Sequence, residues 1–331
     1  MSIFDRIYST AKDNPKKIVL PEGEDPRIIE AAALIAEKNL ARIILLGHPD
    51  TIFKKAKEDK LDISKIEIVD PKLDQQSEEY IQDYCQLRKH KGETAEQARD
   101  LLLRDFVYYG AMMLRKGRVD GFIAGAAHTT SCVARAAFRC LEKDQRYKIA
   151  SSSFLMQVKE SRYGQDGLFL FADCGIVPLP DAEQLATIAL ASAELWHKVT
   201  GFESRLAMLS FSSHGSSRAS SVTKVKEACA LAQKLRPDLI IDGELQLDSA
   251  IEPEVAKIKV PNSRLGGRAN ILIFPNLDAG NIAYKLMQRL AQARVVGPLI
   301  QGLKSPCSDL SRGCGVQEIV DAIAVTCVRA Q

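Results

Sequence analysis

The sequence predicts an α/β fold with mainly parallel sheets. Three observations carry that prediction. Apolar runs of strand length alternate with stripes of helical period along the whole chain. The first of these groups closes as a β-α-β unit, which needs a crossover and so pairs its strands in parallel. The 331 residues, 46% of them hydrophobic, suffice for one large or two medium domains.

The elements follow in order. Lys16 to Leu20 reads as a buried strand stopped by Pro21. Glu22-Gly23-Glu24-Asp25-Pro26 is a turn, with Asp25 as N-cap and Pro26 at the first helical position. Ile28, Ile29, Ala32, Ile35 and Ala36 form a helical stripe, and Arg42 to Leu46 is the next strand, closed by Gly47. Helices are expected over 50–59, 75–89 and 95–116, with a short strand over 66–69. The basic loop from Arg88 to Thr94 reads, taken alone, as a solvated charge run. From Val119 a strand runs into Gly125-Ala126-Ala127, then Thr129-Thr130 at a helix start. Small residues there let a ligand approach backbone N–H groups at the carboxyl end of a strand. Arg135, among Ala and Cys on that helix, suggests a pocket or a buried partner, whereas His128 reads as structural.

In the second half, 149–158 and 168–172 read as two strands forming a hairpin or an antiparallel edge pair, joined by the polar loop 159–167. A helix over 181–198 follows Pro178 and Pro180. The strand from Arg205 enters Ser212-Ser213-His214-Gly215-Ser216-Ser217, which reads as a phosphate cradle or as a flexible polar loop; it lacks the Lys of a P-loop. A helix over 222–234 and a strand over 239–241 come next. Asp242, Glu244 and Asp248 could hold Mg²⁺, or cap a helix and build a polar network. Residues 269–274 read as a strand, 276–281 as a turn and 282–291 as a helix. The apolar run 295–303, broken by Gly297-Pro298, leads through Asp309-Leu310-Ser311-Arg312-Gly313-Cys314-Gly315 to a last helix over 316–328. Free N–H groups at a helix start attract anions. Arg312 adds a planar donor fork, Ser311 a hydroxyl, and Glu318 a carboxylate able to act as a base. The competing reading is that Asp309 or Ser311 caps the last helix.

Composition excludes other classes. A net charge of +3 and few aromatics offer no nucleic-acid surface. No signal-peptide core and no membrane-length apolar run is present. The eight cysteines contain no Cys-x-x-Cys and the five histidines no His-x-x-x-His, so no metal site is expected and the thiols suit a reducing cytoplasm.

Gln301-Gly302-Leu303 with Asp309-Leu-Ser-Arg-Gly-Cys314 resembles the carboxyl-terminal signature of the phosphate acetyl/butyryltransferase family. The likeness runs over nearly the whole chain. It takes in Leu20-Pro-Glu-Gly23, Gly125-Ala126, His128-Thr129, Arg135, Phe171-Ala-Asp-Cys174, Leu209-Ser210, Gly215-Ser216, Asp242-Gly-Glu244 and Phe274 to Lys285. The resemblance implies two α/β domains with a cleft between them, as in isocitrate and isopropylmalate dehydrogenases. Residues 1–145 with 301–331 would form one, and 146–300 the other. It implies acetyl transfer between coenzyme A and phosphate, with acetyl-CoA, acetyl phosphate, CoA and phosphate as substrates. No permanent cofactor or metal is implied. Ser311 and Arg312 would stabilise the oxyanion, and Glu318 stands where the family uses Asp as base. Arg135 would hold the acyl phosphate and Arg88 the phosphate end of CoA. Thr129, Thr130, Ser212, Gly215, Ser216, Asn281, Tyr284 and Lys285 would bind substrate, with a helix N-terminus behind Gly280-Asn281, and Cys174 would be a nearby thiol. Asp242, Glu244 and Asp248 become structure and pocket lining. A homodimer in the cytoplasm, coupled to an acetate kinase, completes the picture.

The chain departs from the family pattern at Ser131-Cys132, Ala136 and Ser305-Pro306-Cys307-Ser308, with Lys304 adjacent to replace a lost charge. Rival readings are a phosphate butyryltransferase, a metal-dependent decarboxylating dehydrogenase, and a catalytically impaired acyl-CoA binding protein.

Overall fold

The computed structural model describes residues 2–159 and 162–331; Glu160 and Ser161, in the expected polar loop, lie outside the described residues. The chain divides into two compact units, Met1–Lys143 with Leu303–Gln331 and Asp144–Gly302.

The first unit opens with a helix that the sequence reading did not anticipate, α1 (Ile3–Asp13), burying Phe4, Ile7 and Ala11. Then come β1 (Lys17–Leu20), α2 (Pro26–Lys38), β2 (Arg42–Leu46), α3 (Pro49–Glu58), β3 (Glu67–Val69) and α4 (Ser77–Arg88). Helix α2 starts as expected, with the Asp25 side chain accepting the Arg27 N–H at 2.9 Å and Pro26 in the first turn. The helix expected over 95–116 is two: α5 (Ala95–Arg104) and α6 (Phe106–Arg115). Asp105 breaks it, at φ −110° and ψ 94°, with its carboxylate accepting the Val107 N–H at 3.0 Å. A local side-chain cap here overrides a continuous helical pattern. Strand β4 (Gly121–Ala124) and helix α7 (Thr130–Cys140) follow.

The second unit contains β5 (Ser151–Gln157), β6 (Leu168–Ala172), α8 (Ala182–Thr200), β7 (Arg205–Leu209), α9 (Ser220–Leu235), β8 (Ile240–Leu245), α10 (Leu247–Ile251), α11 (Pro253–Lys259), β9 (Ile271–Ile273), α12 (Leu277–Arg289) and β10 (Arg294–Gln301). Its strand order is β10-β5-β6-β9-β7-β8. Strands β5 and β6 pair antiparallel, but neither is an edge, because β10 pairs antiparallel on the far side of β5 and β9 pairs parallel with β6. The pairs β9–β7 and β7–β8 are parallel. Strand β8 runs four residues beyond its expected end and takes Asp242 and Glu244 into the sheet. The expected turn at 276–281 is the cap and first turns of α12: the Asn276 side chain accepts the Ala279 N–H at 2.9 Å, so Gly280 and Asn281 are already helical.

The chain then returns to the first unit through a strand missed in the sequence, β11 (Cys307–Asp309), and ends in α13 (Val316–Arg329). The first unit's sheet reads β3-β2-β1-β4-β11, with every pair parallel. Parallel neighbours β1, β4 and β11 therefore end on the same side. The segments after them, beginning at Pro21, Gly125 and Leu310, meet there.

Candidate functional site

Glu22, just beyond β1, is buried and reaches the segment beyond β4. Its Oε2 accepts the N–H groups of Gly125 (2.9 Å) and Ala126 (2.7 Å), and its Oε1 those of Ala127 (2.8 Å) and His128 (2.9 Å). His128 Nδ1 lies 2.7 Å from the same Oε1. Burial alone would raise the Glu22 pKa, but the His128 bond and the backbone N–H donors outweigh it and hold the carboxyl below its ordinary value. The bond from Glu22 raises the His128 pKa. The expectation that a ligand uses these N–H groups is therefore corrected: the protein's own carboxylate occupies them. His128, read from the sequence as structural, is bonded to Glu22 through both its backbone N–H and its ring nitrogen.

Gly125 is required here. At φ +114°, any Cβ would lie 2.2 Å from Asp309 Oδ1. That carboxylate is fully buried, and neither oxygen has a hydrogen-bond partner of good geometry among the described residues. Burial pushes the Asp309 pKa up to about 7; the Thr130 hydroxyl and the Leu310 N–H pull it the other way. Asp309 belongs to β11 and does not cap α13, whose N-cap is Gly315 with no side-chain cap. Ser311 does not cap it either. Its Oγ accepts the Gly313 N–H at 3.3 Å, inside a turn closed by the Cys314 N–H and the Ser311 carbonyl at 2.9 Å.

The side chains of Ser311 and Arg312 are exposed, and the Arg312 guanidinium pairs with no other described residue. Glu318 is half-buried in the first turn of α13, where the helix start favours a carboxylate. Arg27 ties this turn down. Its Nη1 donates to the carbonyls of Arg312 (2.8 Å) and Cys314 (3.1 Å), and its Nη2 to that of Ala126 (2.8 Å).

Thr129 is the N-cap of α7, accepting the Cys132 N–H at 3.3 Å, and Thr130 is the first helical residue. Of the pocket or buried partner expected for Arg135, no buried partner occurs among the described residues: Arg135 takes an exposed position on α7. Arg88 is not part of a solvated run, since its Nε lies 3.2 Å from Glu93 Oε2 and both side chains are largely shielded.

In the second unit, Cys174 is buried against α12. Gly280 packs so closely that a Cβ there would lie 2.3 Å from the Asp173 carbonyl and 3.0 Å from Cys174 Sγ. Asn281 Nδ2 donates to the Cys174 carbonyl at 3.1 Å. Burial, and then the Asp173 charge, raise the Cys174 pKa well above the usual thiol value. Such a thiol stays protonated and does not attack. Tyr284, expected in a pocket, is a core side chain, its ring stacked 4.2 Å from Phe154. Lys285 is exposed and lies 5.0 Å over the Tyr284 ring.

The Ser212–Ser217 segment is held by its own side chains. Glu244 Oε1 accepts from Ser212 Oγ (2.8 Å) and the Gly215 N–H (2.7 Å), while the Ser212 and Ser216 hydroxyls lie 3.1 Å apart. Asp242 accepts from Ser263 Oγ at 2.5 Å and contacts His214 Nε2 at 3.2 Å. Asp248 pairs with Lys259 at 2.5 Å. The polar-network reading of these carboxylates describes them, and no cluster with metal-ligand geometry occurs among the described residues.

Ser308 is buried in β11, with its hydroxyl 2.8 Å from Thr326 Oγ1 and 3.1 Å from Arg329 Nη1. Lys304, expected to replace a lost charge, pairs with Glu142 at 2.6 Å. The Cys132 thiol takes a hydrogen bond from Thr129 Oγ1 at 3.2 Å.

The family model described as phosphate acetyl/butaryl transferase matches residues 2–327. A phosphate acetyltransferase of Thermoanaerobacterium thermosaccharolyticum is 48% identical over 331 residues, covering 100% of both chains. The crystal structure of a phosphotransacetylase from Streptococcus pyogenes superposes with a TM-score of 0.92 at 36% identity, covering 100% of this chain and 99% of that one. A 4-hydroxythreonine-4-phosphate dehydrogenase from Klebsiella pneumoniae, at 13% identity and a TM-score of 0.52 over 96% of this chain and 98% of its own, shares the fold.

Proposed function

This chain belongs to the phosphate acetyl/butaryl transferase family, and on that premise we propose that it moves an acetyl group reversibly between coenzyme A and inorganic phosphate. The observation that carries the mechanism is the turn after β11: a fixed backbone presenting the exposed side chains of Ser311 and Arg312.

In the direction of thioester synthesis, the CoA thiol gives its proton to the Glu318 carboxylate. Its ordinary pKa of about 8.5 makes that transfer necessary near neutral pH. The thiolate attacks the acetyl carbon of acetyl phosphate and forms the C–S bond. The carbonyl oxygen becomes an oxyanion, which receives the Arg312 guanidinium and the Ser311 O–H. Collapse breaks the bond from carbon to the phosphate oxygen, and phosphate leaves with the electron pair and takes up the proton from Glu318. Arg135 holds the acyl phosphate and Arg88 the phosphate end of CoA. Thr129, Thr130, Ser212, Gly215, Ser216, Asn281 and Lys285 bind substrate. No resident metal or cofactor enters the reaction.

A homodimer belongs to the same proposal. Ile282 and Leu286 on α12 and its C-cap Leu290 are spaced at four and are 58%, 50% and 79% exposed. Such an apolar stripe supports a protein partner. Leu286→Asp should shift the dimer to monomer in analytical ultracentrifugation; an unchanged sedimentation coefficient would place the interface elsewhere. Eight free cysteines support a reducing, cytoplasmic setting. Acetyl phosphate is a phosphoryl donor, so an acetate kinase is the expected coupled enzyme.

The test is thioester formation from acetyl phosphate and CoA by the purified protein, with butyryl phosphate in parallel. Faster turnover with acetyl phosphate is expected. Preference for the butyryl substrate would move the chain to the sister activity, and CoA binding without turnover would make it a binding protein.

A further inference from the structure

Arg27 has five N–H donors, and each has an acceptor. Nε donates to Asp25 Oδ1 (3.0 Å) and Nη2 to Asp25 Oδ2 (2.6 Å). The other three go to the carbonyls of Arg312 (2.8 Å), Cys314 (3.1 Å) and Ala126 (2.8 Å). Asp25 is itself fixed as the N-cap of α2. One rigid fork therefore joins a helix start to the segments beyond β11 and β4. The other hydrogen bonds described within Ser311–Cys314 are internal to the turn. Arg27 thus sets where that turn sits.

We propose that Arg27 is the positioning residue of the transfer reaction: its guanidinium fork holds the Arg312 and Cys314 carbonyls, and thereby aims the Ser311 and Arg312 side chains at the reacting carbonyl. The proposal rests on the reading of Ser311 and Arg312 as the transfer residues. Lysine cannot replace the fork. An ammonium has three donors in a tetrahedral array and cannot span a bidentate carboxylate and three carbonyls in one plane. The role is geometric, so the loss should appear in kcat more than in KM.

The test compares Arg27→Gln, Arg27→Lys, Arg312→Ala and the double variant Arg27→Gln/Arg312→Ala, measuring kcat, KM for CoA and thermal unfolding. Each Arg27 variant should lower kcat about 10- to 100-fold, with KM changed by less than about threefold. In the Arg312→Ala background, Arg27→Gln should lower kcat by clearly less than it does in the wild type, because one of the two side chains it aims is already removed. Added guanidinium ion should restore part of the Arg27→Gln activity. If Arg27→Gln does not fold, folded Arg27→Lys decides: reduced kcat supports the role and wild-type kcat overturns it. Normal kcat in the Arg27 variants beside impaired Arg312→Ala overturns the inference alone. Normal kcat in Arg312→Ala overturns the reading beneath it. Equal, additive losses in the double variant would make Arg27 a stability residue only.

Discussion

Two serine-bearing segments look alike as strings and differ in how they are held. At Ser311–Cys314 the backbone is fixed from outside, through Arg27, and the Ser311 and Arg312 side chains project outward. At Ser212–Ser217 the side chains do the fixing: the Ser212 and Ser216 hydroxyls face each other, and Ser212 is buried against Glu244. A hydroxyl spent on an internal carboxylate is not available to a developing oxyanion. The contrast supports the proposal that the first segment carries the chemistry and the second binds substrate.

Two substitutions in the second segment separate them. Ser212→Ala should leave kcat within about threefold of wild type while weakening the segment, since it removes the hydroxyl's hydrogen bonds to Glu244, Ser216 and the Ser217 N–H, each worth about 1 kcal/mol. Glu244→Gln tests the same hold from its acceptor side. It should cost roughly 1–2 kcal/mol of stability and raise KM for CoA up to about tenfold. Loss of kcat with KM unchanged in either variant would erase the distinction.

Asp309 gives a pH signature to the first segment. Its folded pKa, about 7, stands above the ordinary carboxylate value. Such a group stabilises the fold fully below its ordinary value, and that contribution is lost as pH rises toward about 7. Asp309→Asn should remove this loss and gain about 1–3 kcal/mol at pH 8, read from denaturant unfolding. An unchanged stability difference between pH 4 and pH 8 would show that the carboxylate is not held protonated. The smallest effect belongs to His128. Its pKa is raised by Glu22, so its contribution is present below the ordinary value of 6.5 and is lost as pH rises through the raised value. The ring is 38% exposed, so solvent screening limits the loss to under about 1 kcal/mol. His128→Gln should flatten the unfolding profile in that window.

Much of this was legible in the residues. The β-α-β opening and the Asp25-Pro26 helix start follow from local chemistry that a short window contains, and the strings around Ser311 carry the family resemblance. What escaped depends on distant partners. Strand β11 is three residues, Cys307-Ser308-Asp309, with no apolar run to mark it; it is a strand because Phe122 to Ala124 lies beside it. Tyr284 carried a family string, yet its partner Phe154 lies in another element, so core and pocket could not be told apart. Glu22 was visible only as part of a turn, and its four N–H donors lie more than one hundred residues away. Arg27 followed an N-cap and carried no signal at all; its acceptors beyond β11 are 285 and 287 residues distant.

The central claim is that transfer occurs on the turn after β11. The most direct measurement is kcat for thioester formation by folded Arg312→Ala and Ser311→Ala proteins, with thermal unfolding as a control. A fall of about 10²–10³ in kcat for each, with unfolding temperature unchanged, is the predicted result. Near-normal turnover in both would contradict it and leave the turn a structural link between β11 and α13.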